Sequence, residues 1–167
     1  TELLQMKPNI RMPEVPVDFP APCKGAVSFE QVDFCYPSRK NEFAIRDFSL
    51  DIEPGEHVAF VGPSGAGKST IFQLLLRFYD PQSGRIRVDG ININCANPKD
   101  IRSAIAMVPQ DCVIFGDSVA ANIRFGRPNL TDTQVIEAAT AASAHGFISQ
   151  LPDGYETYLG EKGVRLS

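Results

Sequence analysis

Residues Ala59–Thr70, AFVGPSGAGKST, decide how this chain folds. Gly62, Gly67, Lys68 and Ser69 satisfy the spacing G-x-x-x-x-G-K-S/T. Upstream lies the apolar run HVAFV, His57–Val61, which reads as a strand buried on both faces. Downstream, Ile71, Leu74, Leu75 and Phe78 recur at i, i+3, i+4 and i+7, the pattern of a helix that buries one stripe. A strand, a glycine-rich loop and a helix in this order form the setting in which the spacing cradles phosphates.

The chemistry follows from backbone geometry. Glycines let the loop curl so that successive N–H groups face inward, and the helix opening near Lys68 aims its positive end at the same point. The loop predicts nucleotide contacts from Gly62, Pro63, Ser64, Gly65, Ala66, Gly67, Lys68, Ser69 and Thr70. Lys68 reaches the β and γ phosphates as a mobile charge and is a catalytic candidate, Ser69 is a ligand for Mg²⁺, and Thr70 adds a hydroxyl near the α phosphate. A ligand-free turn is the bland alternative. Alone, the motif specifies a nucleoside triphosphate and leaves open a small-molecule kinase, a GTPase, a helicase-like motor and a transporter ATPase.

Composition sets the outer bounds. The 167 residues are 43% hydrophobic and 22% charged, the profile of an ordinary globular chain of one domain. A net charge of −4 argues against a general nucleic-acid or anionic-membrane surface, so no nucleic-acid partner is expected. Cys23, Cys35, Cys95 and Cys112 form no C-x-x-C pair and suggest neither zinc nor a disulfide framework. No run of about 18 apolar residues is present to cross a bilayer.

Pro8, Pro13, Pro16, Pro20 and Pro22 exclude helix and central strand from the opening segment, so residues 1–24 read as an extended linker. From Ala26 the alternation is β-like. Val27 and Phe29 lie on one parity and Val32 and Phe34 on the other, which predicts a bulge near Glu30 and Gln31. Phe48, Leu50 and Ile52 mark a second strand, and Asp89-Gly90 a hairpin turn within RIRVDGINI. Asn97 and Pro98 open a short helix, and IAMV, Ile105–Val108, reads as another buried strand. Ser118 caps a helix through VAANI, and Thr131 with Gln134 forms a capping box.

The flanking motifs resemble the nucleotide-binding (ATPase) domain of an exporter-type ABC transporter, over about Gly25 to Ser167. VDFCYPSR is similar to the A-loop, which implies that Tyr36 stacks on adenine; a core tyrosine is the alternative. IAMVPQD resembles the Q-loop, which implies that Gln110 ligands Mg²⁺ or orients the attacking water; a surface glutamine is the alternative. DCVIFGDSVAANI is similar to the segment that grips a membrane domain, which implies an interface at one or more of Val113, Ile114 and Phe115; core filling is the alternative. LPDGYETYLGEKGVRLS looks like the run into the signature motif, with Glu161 as the acidic member of a loop facing the transmembrane partner.

The resemblance implies an α/β fold, a P-loop NTPase of the ABC type. It has an N-terminal antiparallel β subdomain, a partial parallel-sheet core and the start of a helical subdomain. Residues 1–24 become the linker from a membrane domain, and 25–167 the N-terminal part of the ATP-binding domain. It implies ATP and Mg²⁺ as ligands, a transmembrane domain and a second ATPase domain in a head-to-tail dimer as partners, and a place on the cytoplasmic face of a membrane. The family's signature begins Leu-Ser-Gly-Gly, and the chain reaches Leu166-Ser167. The catalytic glutamate and switch histidine follow the signature, and neither His57 nor His145 matches the latter. The expectation is a piece of a longer protein that binds nucleotide weakly and does not turn it over at a normal rate. A phosphotransferase would require an arginine-rich lid after residue 110, which is not visible. A non-transport ABC protein acting on nucleic acid is disfavoured by the acidic balance.

Overall fold

The computed structural model describes residue 10 and residues 12–160. The chain divides between Met107 and Val108 into two compact units.

The first unit is built on a four-stranded antiparallel sheet of order β2-β1-β3-β4, with β1 at Val27–Cys35, β2 at Phe43–Ile52, β3 at Ser83–Val88 and β4 at Ile91–Asn92. Phe29 faces Leu50 on one side and Ile86 on the other. Between Phe29 and Val32 the register shifts, with Gln31 at φ 48°, so both parities of β1 reach the core. Asp89 and Gly90 take positive φ at the β3–β4 turn, as the Asp-Gly pair predicts.

Helix α1, Lys68–Leu75, follows the glycine loop and buries Ile71 and Leu74 against Phe29, Phe34, Ile86 and Ile101. Helix α2, Pro98–Ala104, starts at Asn97, whose side chain accepts from the Lys99 N–H. The α1 stripe is shorter than the apolar spacing predicts. Arg77 adopts φ 52° and ends the helix, leaving Phe78 49% exposed beneath the Arg102 guanidinium. Arg77 is itself 2% exposed and donates to Asp80 and to the Ala96 carbonyl, while Arg102 donates to the carbonyls of Leu76 and Arg77. Tertiary bonds thus fix the helix end.

The two buried strands expected at His57–Val61 and Ile105–Val108 are not formed, and no parallel strand pair occurs among the described residues beyond a single Val17–Ala96 bridge. Val61 is 93% and Val108 89% exposed. An apolar run becomes a central strand only with hydrogen-bonded neighbours, and among the described residues neither run has them.

In the linker, the described residues from Met12 to Lys24 hold neither helix nor strand beyond that bridge, as the prolines require. Asp89 anchors its end by accepting from the N–H groups of Lys24 and Ala26. Burial pushes the Asp89 carboxyl up, but hydrogen bonds from the Cys23 thiol and these backbone groups outweigh it and hold it below its ordinary value. Burial, then Asp89, pushes the Cys23 thiol up. All four cysteines are free. Asp33 is also held low, first by the Asp47 N–H and then by the Ser83 hydroxyl, which tie β1 to both neighbouring strands.

The second unit pairs β5, Asp117–Ser118, with β6, Tyr158–Leu159, beside helices α3, Val119–Ile123, α4, Asp132–Ala141, and α5, His145–Ile148. Val119, Ala139, Ile148 and Leu159 form its core. Ser118 caps α3, and Thr131 with Gln134 forms the reciprocal capping box of α4. No helix of the described residues is long and apolar enough to cross a membrane.

Candidate functional site

The site is assembled by β1, the turn after it and the start of α1. The Gln82 side chain clamps the end of β1, accepting from the Cys35 N–H at 2.7 Å and donating to its carbonyl at 3.0 Å. Tyr36, the next residue, is thereby aimed at α1. Its ring meets Phe34 edge-on at 4.9 Å and Tyr79 at 5.3 Å. Its hydroxyl lies 2.9 Å from Thr70 Oγ1 and donates to Gln73 Oε1 at 2.9 Å.

Gly67 makes the loop possible. It caps α1 at φ 83°, and a Cβ built there would stand 2.5 Å from the Ala44 carbonyl oxygen and 2.8 Å from Ile45 Cδ1. Only a residue without a side chain lets the loop lie against the start of β2. Lys68 then turns back, and its Nζ donates to the carbonyls of Gly62 at 2.7 Å and Pro63 at 2.6 Å. The Ala66 N–H closes the loop onto the Pro63 carbonyl at 3.3 Å.

A cleft of about 630 Å³ lies between these elements. Tyr36, Arg39, Glu42 and Phe43 form one wall, and Ser64, Lys68, Ser69 and Thr70 the other. Gly65, Gly67 and Ala44 complete it. The Lys68 ammonium, the exposed Ser64 and Ser69 and a helix N-terminus opposite an aromatic wall suit an anion joined to a flat ring. Of the loop residues named from the sequence, Gly62, Pro63 and Ala66 do not line the cleft. Arg39, Glu42, Phe43 and Gln73 were not legible as site residues. Only the proximity of "SRKNEF" to Tyr36, and the one-turn spacing of Gln73 from Thr70, hinted at them.

Gln110 lies exposed in the second unit, in the loop where the Cys112 thiol donates to the Pro109 carbonyl at 3.5 Å. Val113 and Ile114 line an apolar cavity of about 370 Å³ with Val119, Ile123, Phe147 and Leu159. Phe115 does not line it and stacks on Phe125 at 4.2 Å. Glu161 lies outside the described residues.

The fold is that of a P-loop ATPase of the ATP-binding cassette class. The chain belongs to the ABC transporter family, whose model, "ABC transporter", matches residues 45–167. It is 48% identical over 168 residues to ABC transporter B family member 1 of Arabidopsis thaliana, covering 99% of this chain and 13% of that protein. It is 49% identical over 144 residues to ATP-binding cassette sub-family B member 6 of Rattus norvegicus, covering 86% of this chain and 17% of that protein. A solved structure, "Structure of a bacterial Atm1-family ABC exporter with ATP bound", superposes with a TM-score of 0.89 at 39% identity, over 99% of this chain and 28% of that one. The chain thus spans a small part of the length of the proteins it matches.

Proposed function

We propose that the chain binds ATP in the cleft between Tyr36 and the phosphate loop, as the ATP-binding part of an exporter-type ABC transporter. The observation that carries this reading is the placement of Lys68, whose ammonium is held by two loop carbonyls in the cleft that Tyr36 also lines. Phosphate oxygens replace those carbonyls as partners, and the α1 N-terminus adds donors. Adenine stacks on Tyr36. The solved neighbour, whose title states that ATP is bound, supports the same ligand.

Among the described residues no cluster of three or more His, Cys, Asp or Glu side chains stands ready to hold a metal ion. Mg²⁺ needs no such cluster, because phosphates and waters supply most of its ligands and one or two protein oxygens suffice. The exposed Ser69 hydroxyl in the cleft fits that role, with Gln110 as the second candidate. When bound, the ion would neutralise phosphate charge; Lys68 and Gln110 are the residues of this chain we assign to the hydrolytic step.

In the parent protein we assign ATP-driven export of a substrate across a membrane. Residues 1–24 serve as the connector to a membrane domain, and 25–167 as the N-terminal part of the ATP-binding domain on the cytoplasmic face. A head-to-tail partner ATPase domain completes the site. The cavity at Val113 and Ile114 supports a membrane-domain contact there, joined by Phe115 and Glu161.

Titration of the chain with ATP and with inorganic tripolyphosphate by calorimetry tests the site. Both bind, and Lys68→Ala weakens both about 10- to 100-fold, the loss of a charge-assisted hydrogen bond of about 1.5–3 kcal/mol. Equal binding by the variant refutes the assignment.

A further inference from the structure

Resting on the reading of the cleft as an ATP site, we infer that Gln73 is a positioning residue for the nucleotide base, acting through Tyr36. The Tyr36 hydroxyl carries one proton and donates it to Gln73 Oε1, so at its 2.9 Å contact with Thr70 it accepts from the Thr70 hydroxyl. The chain of bonds runs from Thr70 through Tyr36 to Gln73, with both anchors one turn apart on α1. Phe34 and Tyr79 meet the Tyr36 ring in T-shaped contacts, which limit its tilt but supply no directional bond.

The two anchors differ in what a phosphate does to them. Thr70 lines the cleft, and its hydroxyl proton is the one an oxygen of the triphosphate would claim. Once it is claimed, Thr70 no longer donates to Tyr36. Gln73 does not line the cleft and keeps accepting from the phenol. Gln73 thus holds the stacking ring in register with the phosphate loop while the ligand is bound, and α1 carries both the phosphate contacts and the orientation of the aromatic wall.

The test compares Gln73→Leu and Tyr36→Phe with the unaltered chain, titrating ATP and inorganic tripolyphosphate separately. Each variant is expected to bind ATP about 3- to 10-fold more weakly, as for loss of one net hydrogen bond, with tripolyphosphate affinity unchanged. The double variant is expected to lose no more than the weaker single variant, because both remove the same bond. The unchanged tripolyphosphate affinity also shows that each variant retains its folded loop. The inference is overturned if Gln73→Leu binds ATP as the unaltered chain does, if it loses tripolyphosphate equally, or if the two losses multiply in full. Failure of the unaltered chain to bind either ligand overturns the reading of the site, and this inference with it.

Discussion

Replacing Gly67 by alanine separates two costs that a glycine-rich loop normally combines. Gly65 and Gly67 have almost the same backbone angle, φ 84° and φ 83°. At Gly65 a Cβ meets nothing within 4 Å, whereas at Gly67 it meets the Ala44 carbonyl oxygen at 2.5 Å and Ile45 Cδ1 at 2.8 Å. Gly65→Ala therefore incurs only the left-handed backbone term, about 1–2 kcal/mol. Gly67→Ala adds an overpacking term of about 1–3 kcal/mol, because a backbone carbonyl cannot rotate aside as a side-chain tip can. The expected loss is about 2–5 kcal/mol, a large fraction of the ~5–15 kcal/mol that holds a domain together. With a urea m-value of about 2 kcal/mol/M, the unfolding midpoint falls by roughly 1–2.5 M for Gly67→Ala and by about 0.5–1 M for Gly65→Ala. Circular dichroism across a urea series measures both. Unfolding free energies of the two variants that agree to within about 0.5 kcal/mol would refute the claim that the loop lies against Ala44.

Other substitutions probe the supports of the site. Arg77→Met leaves the Ala96 carbonyl and the Asp80 carboxylate without this donor and should cost about 3 kcal/mol in urea unfolding; a loss below about 1 kcal/mol would contradict the buried clamp. Thr131→Ala removes the capping box of α4 and should lower stability by about 1 kcal/mol, read by thermal unfolding of the second unit. The Asp89 carboxyl is held below its ordinary value in the fold, so its contribution is present above about pH 4 and is lost as pH falls through the lowered value. Asp89→Asn should flatten the acid limb of a midpoint-against-pH curve, and an unchanged limb would show that Asp89 does not anchor the linker.

What was legible in the sequence was local. The Asn97, Ser118 and Thr131 caps, the bulge at Gln31 and the Asp89-Gly90 turn depend on residues within a few positions of one another, and each is where the pattern placed it. The glycine turn that opens α1 at Lys68 was legible for the same reason. The failures are non-local. His57–Val61 and Ile105–Val108 report a preference for burial, but hydrogen-bonded neighbours decide whether a strand forms. Phe78 continues the helical spacing, yet Arg77 is drawn out of the helix by the Ala96 carbonyl far along the chain. Phe43 and Arg39 join the cleft because β2 returns beside β1, which no spacing in the sequence encodes.

These particulars indicate which side of the phosphate loop fixes its geometry. The strand side contributes little among the described residues, since Val61, immediately before Gly62, is 93% exposed and unpaired in any sheet. The helix side is held at three points. Gly67 sits against Ala44, Thr70 and Gln73 bond Tyr36, and Arg102 bonds the carbonyls at the far end of α1. Each point joins α1 to a different part of the first unit: β2, the end of β1, and α2. A helix fixed at its start, middle and end cannot translate or turn without breaking one of them, so its first residues, Lys68, Ser69 and Thr70, keep a fixed place on the cleft wall. That rigidity is what a phosphate site requires, because donors already oriented need no reordering when the charge arrives.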